Sequence, residues 1–256
     1  MIAILLPNMG TIHAALHDWL TITAASVPIV EFKTYHVSPL EKAFNELHRR
    51  FIASDCSHAF VVNSDEMPPA GALQRLLEHD KDIVSCVAPK WDEKVGPLPV
   101  ACRQSGDVFH YVNDGGLQRV DRCGFSGVLI KREVMEAIPV GTFEYTETAQ
   151  CACGWIDHLA RDVDVCPKCG TDLAVDGTYF ISPEFKFEDV AREMGFEVWV
   201  DFDLQMHHFV EVDLYSINRQ LMSMREKTLA SLTDKVKRLR GECSDTEIVD
   251  ALIAQG

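Results

Sequence analysis

An α/β fold with a mostly parallel sheet and helices on both faces is predicted by three observations on this chain. Short apolar runs alternate with stretches of helical spacing through its first half, acidic residues stand where one such run stops, and 256 residues suffice for one large core or two small ones. The apolar fraction of 47% and charged fraction of 25% are those of an ordinary globular chain.

Ile2 to Pro7 is apolar and β-compatible, Asn8-Met9-Gly10-Thr11 is a turn, and Ile12 to Ala25 carries apolar residues at helical spacing. Pro28 to Tyr35 reads as a second strand. Ser38-Pro39-Leu40-Glu41 signals a helix start, with Ser38 as N-cap and Pro39 at the first helical position, and that helix should run to about Ile52. Ala59 to Val62 is a short buried strand that ends in Asn63-Ser64-Asp65-Glu66, and Pro68-Pro69 forbid its continuation. Asp65 and Glu66 therefore stand at a strand's carboxyl end, the edge where open α/β sheets bind ligands. A carboxylate there suits a hard divalent cation carrying a phosphate. The plainer reading, that Asp65 caps the next helix, is equally consistent with this stretch.

A helix from Pro69 to His79 and a strand from Asp82 to Val87 follow. Gly96-Pro97-Leu98-Pro99 breaks the pattern, and Val108 to Val112 with Leu117 to Asp121 flank Asn113-Asp114-Gly115-Gly116 as a β-hairpin would. Gly124-Phe125-Ser126-Gly127 precedes the strand Val128 to Ile130 and the short helix Arg132 to Ile138. Its glycines permit close backbone approach to a ligand, or simply a tight bend. Glu188-Asp189 opens a helix through Met194, Gly195 ends it, and Phe196 to Val200 returns as a strand before His207-His208. A long helix from Asp213 to about Arg240 and a last one over Ile248 to Ala254, opened by the capping box Ser244 to Glu247, complete the chain. Those C-terminal helices offer a solvated or oligomer-forming surface.

The formal charge of −15 argues against a general grip on nucleic acid or anionic membrane. An acidic chain that handles a phosphorylated substrate must screen that repulsion, and a bound cation does so. No run is long enough to span a membrane, and Ile2 to Pro7 lacks the basic flank of a signal peptide, so a cytoplasmic, reducing setting is expected. Cys151-Ala152-Cys153-Gly154 and Cys166-Pro167-Lys168-Cys169-Gly170 supply four thiols as two knuckles. Four thiolates at this spacing surround a tetrahedral Zn²⁺ with no open position, so the expected role is structural, with His158 a minor alternative ligand.

In order and context, Asn63-Ser64-Asp65, Gly124-Phe125-Ser126-Gly127, Phe187-Glu188-Asp189-Val190 with Gly195-Phe196, and His207-His208 resemble the GT-A glycosyltransferases, particularly the family-2-like enzymes that use nucleotide-sugar donors. The cysteine knuckles resemble a zinc ribbon. The resemblance implies a GT-A domain over residues 1–212, a ribbon inserted at 149–172 and a helical extension over 213–256. It implies inverting transfer of a sugar from a nucleotide-sugar donor, a UDP-sugar first, to an acceptor hydroxyl. Asp65 would bind Mn²⁺ or Mg²⁺ with His208 or His207. Asp189 would act as base, with Glu188 orienting acceptor or sugar. Pro7, Asn8, Gly10, Asn63, Asp65, Gly124, Ser126 and Gly127 would line the donor site. The acceptor is left open among glycan, protein and modified nucleic acid. Asn63 departs from the family's usual Asp, which keeps a second reading in view: a catalytically inactive GT-A-like binding module whose ribbon docks a macromolecular partner. A metal-dependent phosphohydrolase or nucleotidyltransferase would need a second carboxylate cluster, and none stands near Asp65 in sequence.

Overall fold

The computed structural model describes residues 1–8, 10–37, 39–92, 96–105, 108–144, 146–150, 156–157, 168–171 and 178–209, with Met222 and Arg225 beyond. The chain divides into two compact units, Met1–Phe209 and Val210–Gly256. Of the helices expected over 213–240 and 248–254 only Met222 and Arg225 are described, both helical; the rest lies outside the described residues, as do Cys151, Cys153, His158 and Cys166. No helix among the described residues is long and apolar enough to cross a membrane.

The first unit opens with β1 (Ile2–Asn8), α1 (Ala14–Ala24), β2 (Ile29–Tyr35), α2 (Leu40–Ile52), β3 (His58–Val61), β4 (Glu66–Met67), α3 (Ala72–Glu78) and β5 (Ile83–Val87). An all-β stretch follows: β6 (Pro89–Asp92), β7 (Gly96–Pro99), β8 (Ala101–Ser105), β9 (Val108–Tyr111), β10 (Leu117–Val120) and β11 (Arg122–Cys123). Then come β12 (Val128–Lys131), α4 (Arg132–Ala137), β13 (Thr146–Gln150), β14 (Ile156–Asp157), β15 (Thr178–Ile181), α5 (Pro183–Glu193), β16 (Val198–Gln205) and β17 (His207–His208).

Seven strands form the main sheet in the order β10-β16-β5-β12-β3-β1-β2. The β1–β2, β1–β3 and β16–β5 pairings are parallel, whereas β12 runs against both β3 and β5 and β10 runs against β16. The sheet is thus mixed rather than mostly parallel. Helices cover both faces, as the strand alternation requires. Ala3 and Leu5 face one core with Phe44, Leu47 and Phe51 of α2, Val134 of α4 and Phe187 of α5. Ile2, Ile4 and Leu6 face the other with Leu16 and Trp19 of α1 and Leu73 and Leu76 of α3. Burial on both faces explains why these strands read as unbroken apolar runs.

Four expectations need correction. The segments around Asn113–Gly116 do not pair with each other: β9 joins β8 in a small sheet, while β10 joins β16. Gly115 and Gly116 take positive φ, and Val120, 2% exposed, packs into the main core, a burial that a free hairpin would not provide. The helix α2 starts at Leu40 with Pro39 extended at the N-cap and no side-chain cap bond, and Ser38 lies outside the described residues. The helix α5 begins at Pro183, so Glu188 and Asp189 occupy its second turn instead of its start. Ser182-Pro183 carries the true start signal, a proline whose missing N–H costs nothing in a first turn. Finally, α3 is capped by Gly71 in the left-handed region, so Asp65 is not its cap.

Candidate functional site

The site grows from the end of β3. After Val61 the chain is pinned to its neighbours: Val62 N–H donates to Leu5 O at 3.1 Å, and Gly127 N–H donates to Val61 O at 2.8 Å. Asn63 N–H donates to Ser126 Oγ at 3.0 Å. Because β12 runs antiparallel to β3, its leading loop Gly124-Phe125-Ser126-Gly127 lies at the edge where β3 ends. The glycines are required there. A Cβ on Gly124 would stand 2.8 Å from Ala88 Cβ, and one on Gly127, at φ +73°, 2.7 Å from Met206 Sδ.

Asp65 is more than half exposed, with 56% of its side chain open, whereas Glu66 is buried at 4%. The Asn63 side-chain amide donates to Glu66 Oε2 at 2.9 Å, so Asn63 supports Glu66. Burial pushes the Glu66 pKa up, against the hydrogen bonds from Ser126 and Asn63 and the charge of His208. The antiparallel pairing of β17 with β4 sets His208 opposite Glu66. His208 Nε2 lies 3.5 Å from Asp65 Oδ2 and Nδ1 3.7 Å from Glu66 Oε1, while Nδ1 is also 3.2 Å from Pro89 O. Residues distant in sequence, Asp65 and His208, are therefore brought together, and the ladder selects His208 over His207 as the imidazole beside Asp65.

The first loop closes on the same place. His13 N–H donates to Ser64 O at 2.8 Å, Phe209 N–H donates to Asp65 O at 2.8 Å, and the His13 and Phe209 rings stack at 3.7 Å. Pro7 and Asn8 end β1 beside Thr34 and Tyr35. At Gly10 a Cβ would meet His36 Cε1 at 2.9 Å.

A cavity of about 420 Å³ opens between these elements, lined by Asn63, Glu66, Lys90, Tyr111, the Gly124–Ser126 loop and the start of α5. Ser182, Glu184 and Phe185 form its α5 wall. Glu184 Oε2 and Ser182 Oγ are buried atoms without a hydrogen-bond partner, and burial pushes the Glu184 pKa up. Sequence reasoning missed Glu184 by starting this helix at Glu188, five residues late.

Glu188 and Asp189 are not among the residues that line this cavity. Glu188 is fully buried, with Cys123 N–H and thiol donating to it at 3.0 and 2.9 Å. Asp189 is gripped by Arg122 through Nε at 3.0 Å and Nη2 at 2.5 Å, and by Arg192 Nη2 at 2.8 Å. The Arg122 guanidinium in turn lies 3.8 Å over the Phe109 ring and 5.4 Å from that of Phe185. Of the four clustered cysteines only Cys169 is described; it is exposed, with Sγ 3.1 Å from Thr171 Oγ1.

Asp65 and His208 are the two side chains brought together that could hold a cation, with Nε2 and Oδ2 3.5 Å apart. No group of three or more His, Cys, Asp or Glu side chains among the described residues is arranged to hold a metal ion.

No family model and no curated protein matches the chain. Among solved structures it is similar to the crystal structure of A197 from STIV, at 14% identity and a TM-score of 0.52, over 82% of this chain and 86% of that one. HddC from Yersinia pseudotuberculosis aligns at 11% identity over 75% of this chain, with a TM-score of 0.33 alone and 0.32 in its complex with GMP-PN. Identity this low speaks to fold alone, and the mixed α/β architecture is what the A197 likeness supports.

Proposed function

We propose that the unit Met1–Phe209 is a GT-A glycosyltransferase that moves a sugar from a nucleotide-sugar donor, a UDP-sugar first, to an acceptor hydroxyl with inversion. One observation carries the reading: the β4–β17 ladder sets His208 against Asp65, next to Glu66, which lines a cavity whose α5 wall contains Glu184. Mn²⁺ or Mg²⁺ held by Asp65 and His208 would neutralise charge on the departing diphosphate. In the transfer, the acceptor oxygen bonds to the anomeric carbon as the carbon–oxygen bond to the diphosphate breaks, and that electron pair leaves with the diphosphate. The acceptor proton passes to Glu184, whose raised pKa favours taking it. Glu184 is preferred as base over Asp189, which two arginines already hold. The cysteines, set between β13 and β15, are proposed as a structural Zn²⁺ site on the acceptor side, and the acceptor as a glycan, protein or modified nucleic acid.

Nucleoside diphosphate release from a panel of nucleotide sugars with Mn²⁺ tests this. Asp65→Ala should abolish release, and Glu184→Gln should lower transfer about 10²-fold or more while donor affinity holds. If no donor in the panel is turned over, or if Asp65→Ala changes neither turnover nor binding, the enzyme reading is wrong.

A further inference from the structure

Lys90 is the one basic residue among those lining the cavity, which otherwise presents the carboxyls of Glu66 and Glu184. Neighbouring cations are already engaged: Arg122 and Arg192 hold Asp189, and Arg192 also reaches Asp121 at 3.0 Å. Among the described residues no carboxylate pairs with Lys90, and its side chain is exposed at the cavity.

Its backbone is fixed. Met206 N–H donates to Val87 O at 2.9 Å, Val100 N–H to Ala88 O at 2.9 Å and Gly124 N–H to Val100 O at 2.7 Å. Ala88 packs so closely on Gly124 that no Cβ fits there, and the Pro89 carbonyl lies 3.2 Å from His208 Nδ1. Lys90 itself sits opposite Leu98 in the β6–β7 ladder. Lys90 thus carries an ammonium with no carboxylate partner among the described residues, one residue from the Pro89 carbonyl that His208 Nδ1 meets.

We infer that Lys90 binds the terminal phosphate of the nucleoside diphosphate, an inference that rests on the proposed transfer. Asn63 leaves this site with one carboxylate fewer for a cation, and the chain carries a formal charge of −15. The Lys90 ammonium offsets both in part. It stabilises the charge that gathers on the diphosphate as the sugar departs, where a positioned cation is worth most.

The test measures binding of UDP, GDP and ADP and of the matching monophosphates, with Mn²⁺ and with a chelator, to the wild-type chain, Lys90→Met and Lys90→Arg. Lys90→Met should lose about 10-fold or more in affinity for the preferred diphosphate in both conditions, keep its affinity for the monophosphate, and retain its melting temperature. Lys90→Arg should recover most of the loss. Unchanged diphosphate affinity in Lys90→Met, or equal weakening of mono- and diphosphate, overturns the Lys90 assignment while leaving the transferase reading in place. Failure of the wild-type chain to bind any of the nucleotides overturns both.

Discussion

Glu188 has no water into which to ionise. Its carboxyl is fully buried, Cys123 donates two hydrogen bonds to it, and burial pushes its pKa from 4.5 up to about 8. The unfolded chain releases this proton first. The stabilisation is therefore complete below the unfolded value of 4.5 and is lost as pH rises from there through about 8. Glu188→Gln keeps an acceptor for the Cys123 N–H and removes the titration. Urea melts across this range should show the variant gaining on the wild type toward alkaline pH, by on the order of a few kcal/mol. Parallel pH profiles would show that Glu188 does not titrate late. His48 works in the opposite sense: its ring is buried against Phe143 and Phe187 and burial lowers its pKa, so its contribution is present above the ordinary histidine value and is lost as pH falls below it. At this scale the sequence was half legible. Asp65 and His208 could be named because each follows an apolar run, whereas the roles of Glu184, Glu188 and Asp189 turn on where one helix begins. Acids near a helix start carry no local mark that separates a ligand from a residue buried against a neighbouring strand.

Among the elements, the loop before β12 is the least forgiving. Gly127 takes φ +73° with a Cβ position 3.0 Å from Cys86 Cβ and 2.7 Å from Met206 Sδ, and its two backbone groups bond to Val61 and Cys86. Gly127→Ala should cost about 2 to 4 kcal/mol, combining left-handed strain with crowding. Gly115→Ala, at φ +74° in open space, should cost only about 1 to 2 kcal/mol. Equal losses in chemical denaturation would show that crowding at β12 is not felt. The long apolar strands and the amphipathic helix α2 were legible because their periodicity is strong. The two-residue strands β4 and β17 have no period to read, although they build the site. The small sheets of the all-β stretch were misread for a related reason: Asn113 to Gly116 marks a turn, but a turn does not say which sheet receives the strand that follows it.

Taken whole, the molecule is acidic, at a formal −15, and Lys90 is the single basic side chain on a cavity that otherwise carries two carboxyls. Long-range fields should therefore repel polyanions while short-range contacts hold a small phosphate. Duplex DNA should give no mobility shift at about 0.15 M salt, a condition in which the Debye length is about 8 Å, and a clear shift would point to a basic surface elsewhere in the chain.

The stacking of His13 on Phe209, and the hydrogen bonds that tie both to Ser64 and Asp65, join the beginning of the first unit to its very end. On the ribosome, Asp65 emerges early and waits for nearly all of the unit before His208 can reach it. A nascent or prematurely terminated chain that holds β1 to β12 can lay down the central strands, yet it lacks the imidazole, the α5 wall and the ring that closes over the first loop. On the proposed reading, ligand competence should thus arrive late in synthesis, once His208 has joined Asp65.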